Sequence, residues 1–148
     1  MTSSPMPLPA STAMDLAALQ RLLEAVCAPW VQAMGLQVRE LQPNGLLLGL
    51  PLTPALVHGG GVLCGQALMA AADTAMVLAI SRQLGGFRPM TTVQLQTSFM
   101  RPIPANSGDA AVLASVLRAG KSLVFGEVHV HDAAGRLAAH ATTTYALL

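Results

Sequence analysis

Hydrophobic positions near the start of the chain recur at the spacing of a helix. Leucine and valine side chains three or four residues apart follow Asp15, a residue type that commonly caps helix N-termini. Pro29 limits the run, since proline does not continue a helix. This pattern predicts an amphipathic helix over residues 16–28.

Two short apolar runs come next, at residues 35–41 and 46–52. Asn44-Gly45 lies between them, and this dipeptide favours the positive φ angles of a tight hairpin. We therefore expect two antiparallel strands.

The longest apolar run follows a glycine-rich loop and predicts a second helix over residues 62–84, ending near Gly85. Apolar side chains surround this helix on every side, which indicates a buried helix. Its one carboxylate, Asp73, is costly to bury without a partner. Asp73 should therefore be exposed in a cleft, paired across an interface or chemically active.

Strand character then continues to residue 147. Residues 90–100 alternate, with Val93 and Phe99 predicted on one face and Thr92 on the other. Three hairpin-linked strands follow, and Gly120 and Gly135 suit positive-φ turn positions between them; the strands cover residues 110–117, 123–131 and 137–147. The element order predicts an α+β fold in which a curled antiparallel sheet of about six strands wraps the central helix.

Composition narrows the possible functions. Hydrophobic residues make up 53% of the 148 residues and charged residues 10%, so we expect self-association to hide apolar surface. A net charge of +1 provides no basic field for nucleic acid. Two cysteines form neither a disulfide framework nor a metal-binding spacing, which favours a cytoplasmic protein. Polar interruptions in the central run argue against a membrane span.

One domain is expected over residues 15–148, because its size is typical of a single hydrophobic core. Residues 1–14 contain three prolines and lack the positive start and continuous apolar stretch of a signal peptide. We expect them to form a disordered lead-in.

The glycine-rich loop, central helix and next strand carry the most specific motifs. They read His58-Gly-Gly-Gly-Val-Leu-Cys-Gly65-Gln-Ala-Leu-Met-Ala-Ala-Ala-Asp73 and Thr92-Val-Gln-Leu-Gln-Thr-Ser-Phe99. With this element order, residues 36–148 resemble the PaaI-type acyl-CoA thioesterases of the hotdog-fold superfamily. That resemblance implies a hotdog fold and thioester hydrolysis.

The alignment register decides which residues form the mouth of the central helix. Many family members carry His-Gly-Gly there, nine residues before the catalytic acid, whereas His58 lies fifteen residues before Asp73. A helix cannot absorb six extra residues without displacing the acid by more than a turn. Cys64-Gly65-Gln66 therefore takes the mouth position, and His58 falls in the preceding loop.

The resemblance implies a role for each matching residue. The Gly65 N–H would polarise the thioester carbonyl, and Asp73 would act as general base for water or as nucleophile. Thr92 would reach the acid from the partner subunit's long strand, while Gln66 and His58 would contact water or substrate. Each residue also has an ordinary structural explanation, as a packing glycine, a hydrogen-bonded aspartate, a strand threonine, a helix cap and a loop histidine.

Charged and histidine side chains give weaker indications. Arg101, Arg118 and Lys121 lie at strand ends or turns and would meet the phosphates of coenzyme A, although solvated turns explain them equally well. Three strand histidines are predicted to be too dispersed for a metal site, so no metal is expected; they are His129, His131 and His140. No cofactor is expected, because coenzyme A is part of the substrate.

The leading hypothesis is a homodimeric or tetrameric acyl-CoA thioesterase with its site at the subunit interface, acting on a small aromatic or medium-chain acyl group. One alternative is a hotdog enoyl-CoA hydratase or dehydratase, in which His58 and Asp73 handle a carbon-bound proton. Another is a non-catalytic acyl-CoA-binding protein.

Overall fold

A computed structural model describes residues 14–148 of the chain. The predicted element order is confirmed, with a further short helix, α2, directly after the first and a single 3₁₀ turn at Pro54–Leu56 before the central helix. The expected disordered lead-in lies outside the described residues, except for Met14. The helices are α1 (Leu16–Val26), α2 (Pro29–Gln32) and α3 (Gly65–Leu84), and the strands are β1 (Gln37–Gln42), β2 (Gly45–Leu50), β3 (Met90–Phe99), β4 (Ala110–Ala119), β5 (Leu123–His131) and β6 (Leu137–Leu147).

The six strands form one antiparallel sheet that curls around α3, with the order β1-β2-β4-β5-β6-β3. Met76, Leu78 and Ile80 of α3 are fully buried. At Gly126, β5 passes so close to the helix that an added Cβ would lie 2.6 Å from Met76 Sδ. This is the hotdog arrangement, so the predicted α+β fold is confirmed.

The helix α3 is also long and apolar enough to cross a membrane, with a mean hydropathy of 1.2. However, 61% of its most apolar 18-residue stretch is buried inside the fold. The sheet therefore supplies the apolar surroundings that this helix requires.

The two edges of the sheet differ in their protection. At the β1 edge, the side chain of Gln20 on α1 accepts a hydrogen bond from the Val38 N–H (2.8 Å) and donates one to the Leu36 carbonyl (3.3 Å). Asp15 caps α1 through the Ala18 N–H (2.8 Å), as predicted. The other edge is β3, which has no partner on its outer side within the described chain. An uncovered strand edge is a ready surface for pairing with another chain.

Two turn predictions were wrong in their geometry. The hairpin at Asn44-Gly45 forms, but neither residue adopts a positive φ. Glycine is required at position 45 for a different reason, because an added Cβ would overlap the Ala114 carbonyl oxygen of β4. Gly120 likewise lacks a positive φ, whereas Gly135 has a φ of 81° as predicted.

The predicted alternation of β3 was also wrong at its first residues. The register of β3 against β6 shifts between Thr92 and Gln94, which marks a bulge at Val93. The extra residue brings Thr92 to the helix side of the sheet, the side on which Phe99 packs. Thr92 and Phe99 therefore share a face, and both reach α3.

Candidate active site

Asp73 lies in the third turn of α3 and points toward the start of β3 and the end of β6. Its Oδ1 accepts a hydrogen bond from the Thr92 hydroxyl (2.9 Å) and one from the Tyr145 hydroxyl. No hydrogen bond to its Oδ2 is found among the described residues. The carboxylate is half-buried. One oxygen is thus held in place while the other can accept a proton.

Tyr145 is a functional candidate that the sequence analysis missed. Its side chain is 1% exposed, and its hydroxyl lies 3.1 Å from the Asp73 carbonyl oxygen as well as against the carboxylate. Burial raises the pKa of Tyr145 strongly, and the negative charge of Asp73 and the hydrogen bond to it raise it further. The phenol therefore stays protonated and donates to Asp73. The single tyrosine of the chain, near the end of a predicted strand, was the available signal, since a buried hydroxyl needs a partner.

Thr92 contacts the acid, but not in the way that was predicted. The resemblance implied that Thr92 would come from the partner subunit. The hydrogen bond of 2.9 Å instead joins Thr92 and Asp73 of the same chain. The bulge at Val93 is the physical reason, because it brings Thr92 to the helix side.

The mouth of α3 begins at Gly65, in agreement with the predicted register. Cys64 is the N-cap residue and makes no side-chain hydrogen bond to the first turn, and no hydrogen bond from the Gly65 N–H is found among the described residues. The free amides and the helix dipole together favour negative charge at this point.

An apolar cleft of about 300 Å³ adjoins this mouth. An added Cβ at Gly65 would lie 3.4 Å from the Phe99 ring, so the ring packs directly against the glycine backbone. Arg101 is exposed and lines the same cleft. The remaining lining residues are Val62, Leu63, Leu68, Met100, Pro102 and Ile103.

Gly65 and Asp73 do not converge within one chain. They are eight residues apart on one continuous helix. At 1.5 Å per residue, this places them about 12 Å apart along the axis. One thioester carbonyl cannot contact the Gly65 N–H and the Asp73 carboxylate of the same chain at once.

His58 and Gln66 make no hydrogen bond to Asp73 in the described chain. His58 is exposed, and its Nδ1 accepts a hydrogen bond from the Gly60 N–H (2.8 Å) within its own loop. That loop is closed by the Gly61 N–H donating to the His58 carbonyl (2.9 Å). Gln66 is exposed in the first turn of α3. The pairing of His58 with Asp73 that a hydratase requires has no support from this arrangement.

The three candidate phosphate-binding cations fall into two separate places. Arg118 and Lys121 are exposed at the end of β4 and in the turn after it, at the same end of the sheet as the start of β3 but separated from it by β6. Arg101 follows the end of β3. The ten residues of β3 span about 30 Å, so the three cations do not form one patch within a single chain.

Cys27, the C-cap residue of α1, lies within electrostatic range of Asp73. Burial raises the pKa of the Cys27 thiol, and the negative charge of Asp73 raises it further. Cys27 therefore remains a neutral thiol, a form that is a poor nucleophile.

The strand histidines lie closer together than predicted. Glu127 and His129 of β5 and His140 of β6 bring their ligand atoms within 4.8 Å of one another. The expectation that these histidines are too dispersed for a metal site was wrong for two of the three. The register between β5 and β6 is the reason, because it places His129 directly opposite His140.

Comparison with known proteins points to one family. The sequence profile of the thioesterase superfamily matches residues 57–139, which is more than half of the chain. A protein of Thermoplasma volcanium that is named as a candidate esterase is 33% identical over 106 residues, covering 66% of this chain and 71% of the relative.

Two solved structures share the fold. A thioesterase of Haemophilus influenzae superposes with a TM-score of 0.82 at 18% identity and covers 92% of each chain. The E. coli PaaI protein, from the phenylacetic acid degradation operon, superposes with a TM-score of 0.76 at 16% identity, covering 90% of this chain and 96% of that one. The resemblance to hotdog-fold thioesterases is thereby confirmed.

Proposed function

This chain belongs to the thioesterase superfamily, and we propose that it hydrolyses the thioester of an acyl-CoA. The observation that carries the proposal is the held carboxylate of Asp73. Two hydroxyl donors fix its Oδ1 and leave Oδ2 available, on a helix whose uncapped N-terminus opens onto an apolar cleft.

The proposed reaction uses two groups. In one form, Asp73 Oδ2 takes a proton from water, and the oxygen of that water attacks the thioester carbon. In the other form, Asp73 itself attacks to give an anhydride that water then hydrolyses. Both forms place negative charge on the carbonyl oxygen, which the Gly65 N–H stabilises. The carbon–sulfur bond then breaks, and the thiolate leaves and takes up a proton.

A second copy of the chain is required, because Gly65 and Asp73 of one chain lie too far apart. The outer edge of β3 is a suitable place for pairing, since its backbone has no partner in the described chain and Val93 and Phe99 are 60% and 52% exposed. Two β3 edges paired antiparallel would place the Thr92 end of one copy beside the Phe99 end of the other. Each site would then combine Gly65 of one copy with Asp73 and Thr92 of the other.

The same pairing gathers the separated cations. Arg101 at the end of one β3 would lie toward Arg118 and Lys121 of the second copy, which stand at the same end of the sheet as the start of its β3. These side chains would then bind the phosphates of coenzyme A. The volume of the cleft, about 300 Å³, is at the lower end of the range for ligand-binding pockets, which suits a small aromatic or medium-chain acyl group. The low charge content favours assembly of two dimers into a tetramer.

Thiol release from a panel of acyl-CoAs tests the proposal. Hydrolysis of at least one substrate is expected, and Asp73→Asn should abolish it while circular dichroism shows the fold intact. Asp109→Asn is the matched control, because Asp109 is exposed and pairs with Arg39 (2.6 Å); its activity should equal that of the wild type.

Two results would contradict the proposal. Addition of water to enoyl-CoAs without thiol release would identify a hydratase. Tight binding of acyl-CoAs without turnover would identify a binding protein.

A further inference from the structure

We propose that the outward face of the sheet carries a zinc site formed by Glu127, His129 and His140. These residues lie on β5 and β6, on the face opposite α3. Their neighbours in sequence, Val128 and Ala139, are buried on the helix side. The site is therefore separate from Asp73, and its existence does not depend on the proposed hydrolysis.

The geometry of the strands brings the three ligands together. Glu127 and His129 are two residues apart on β5, so both side chains leave the same face. His129 lies directly opposite His140 in the register of β5 against β6, and their ring centroids are 4.7 Å apart. His140 Nε2 is 3.1 Å from Glu127 Oε2. All three residues stand on paired central strands, which hold a site more rigidly than loops do.

The spacing suits an ion of about the size of zinc. The three ligand atoms lie within 4.8 Å of one another. Ligands at about 2.0–2.2 Å from a tetrahedral zinc ion are about 3.3–3.6 Å apart. Small side-chain rotations therefore close the site around the ion, without movement of the backbone.

The donor types decide the class of ion. Two imidazole nitrogens and one carboxylate oxygen suit zinc and its first-row neighbours, whereas calcium and magnesium prefer oxygen ligands alone. The side chains of His140 and Glu127 are 32% and 31% exposed, so a water molecule can occupy the fourth position. His131 stacks on His129 at 6.4 Å between ring centroids and is assigned no ligand role.

Equilibrium dialysis of the full-length protein against zinc chloride tests the site. The wild type should bind one zinc ion per chain, and His140→Ala should weaken binding by about 10-fold or more. Glu127→Gln, which preserves the shape of the side chain, should weaken it as well. His131→Ala is the matched control, because His131 lies on β5 with Glu127 and His129; this variant should bind zinc as the wild type does.

Two outcomes would overturn the proposal. One is zinc binding by the wild type that does not exceed binding by His140→Ala. The other is an equal loss in His131→Ala, which would mean that the ligand set is different. Neither outcome bears on hydrolysis, and loss of hydrolysis in Asp73→Asn would leave the zinc measurements unchanged.

Discussion

Replacing Gly65 with proline removes a single N–H group from the mouth of α3. Gly65 is the first residue of the helix, where proline is well tolerated and its fixed φ is suitable. Cys64 before it has φ −70° and ψ 147°, the extended conformation that residues preceding proline adopt. An added Cβ meets the Phe99 ring at 3.4 Å, which is ordinary contact. The variant should therefore fold.

The expected effect on stability is small and the effect on catalysis is large. No hydrogen bond from the Gly65 N–H is found among the described residues, so none is lost. Proline at a compatible position stabilises a protein by about 0.4–1 kcal/mol, because it restricts the unfolded chain. Loss of one donor to the oxyanion costs about 2.7–4 kcal/mol, or about 100- to 1,000-fold in kcat.

The assay measures kcat by thiol release with the best acyl-CoA, together with urea unfolding of the same samples. Gly65→Ala is the control, because alanine keeps the N–H and adds only the Cβ; its kcat should stay within a few-fold of the wild type. Wild-type kcat in folded Gly65→Pro would contradict the oxyanion role of this N–H, and so would a loss of activity in Gly65→Ala equal to that in Gly65→Pro.

Two further predictions concern neighbouring side chains. Tyr145→Phe removes a hydrogen bond to the Asp73 carboxylate, worth about 1.5–3 kcal/mol, so kcat/KM should fall by about 10- to 150-fold. Thr143→Val removes a buried hydroxyl that has no hydrogen-bond partner among the described residues, so it should leave kcat/KM unchanged and raise the free energy of unfolding. The backbone N–H of Arg136 is the main cause of a lowered pKa at Asp132. The ionised carboxylate therefore stabilises the fold at pH values above the ordinary aspartate pKa of about 4, and this stabilisation is lost as the pH falls below that value. The thermal midpoint of the wild type should therefore drop more steeply below about pH 4 than that of Asp132→Asn; equal slopes would contradict the assignment.

The elements that depend on local sequence could be predicted. Spacing of apolar residues and the caps at Asp15 and Gly85 define the helices, because they act within a few residues of the chain. Features that depend on pairing between strands could not be predicted. The bulge at Val93 arises from the register of β3 against β6, and the need for glycine at position 45 arises from the closeness of β4.

The candidate site divides in the same way. Asp73 is conspicuous on its own helix, and the register from Gly65 could be predicted because a helix has a fixed rise. The same rise already implied that Gly65 and Asp73 lie about 12 Å apart along the axis and cannot share a carbonyl within one chain. Tyr145 and the meeting of His129 with His140 required the strand order, which only the folded chain provides.

The most direct test of the two-copy site uses mixed dimers of two impaired variants. Gly65→Pro and Asp73→Asn would be co-expressed with different tags, and dimers carrying both tags isolated. If each site combines Gly65 of one copy with Asp73 of the other, every mixed dimer has one complete site and about half of the wild-type activity. Mixed dimers as inactive as both parent variants would contradict the account.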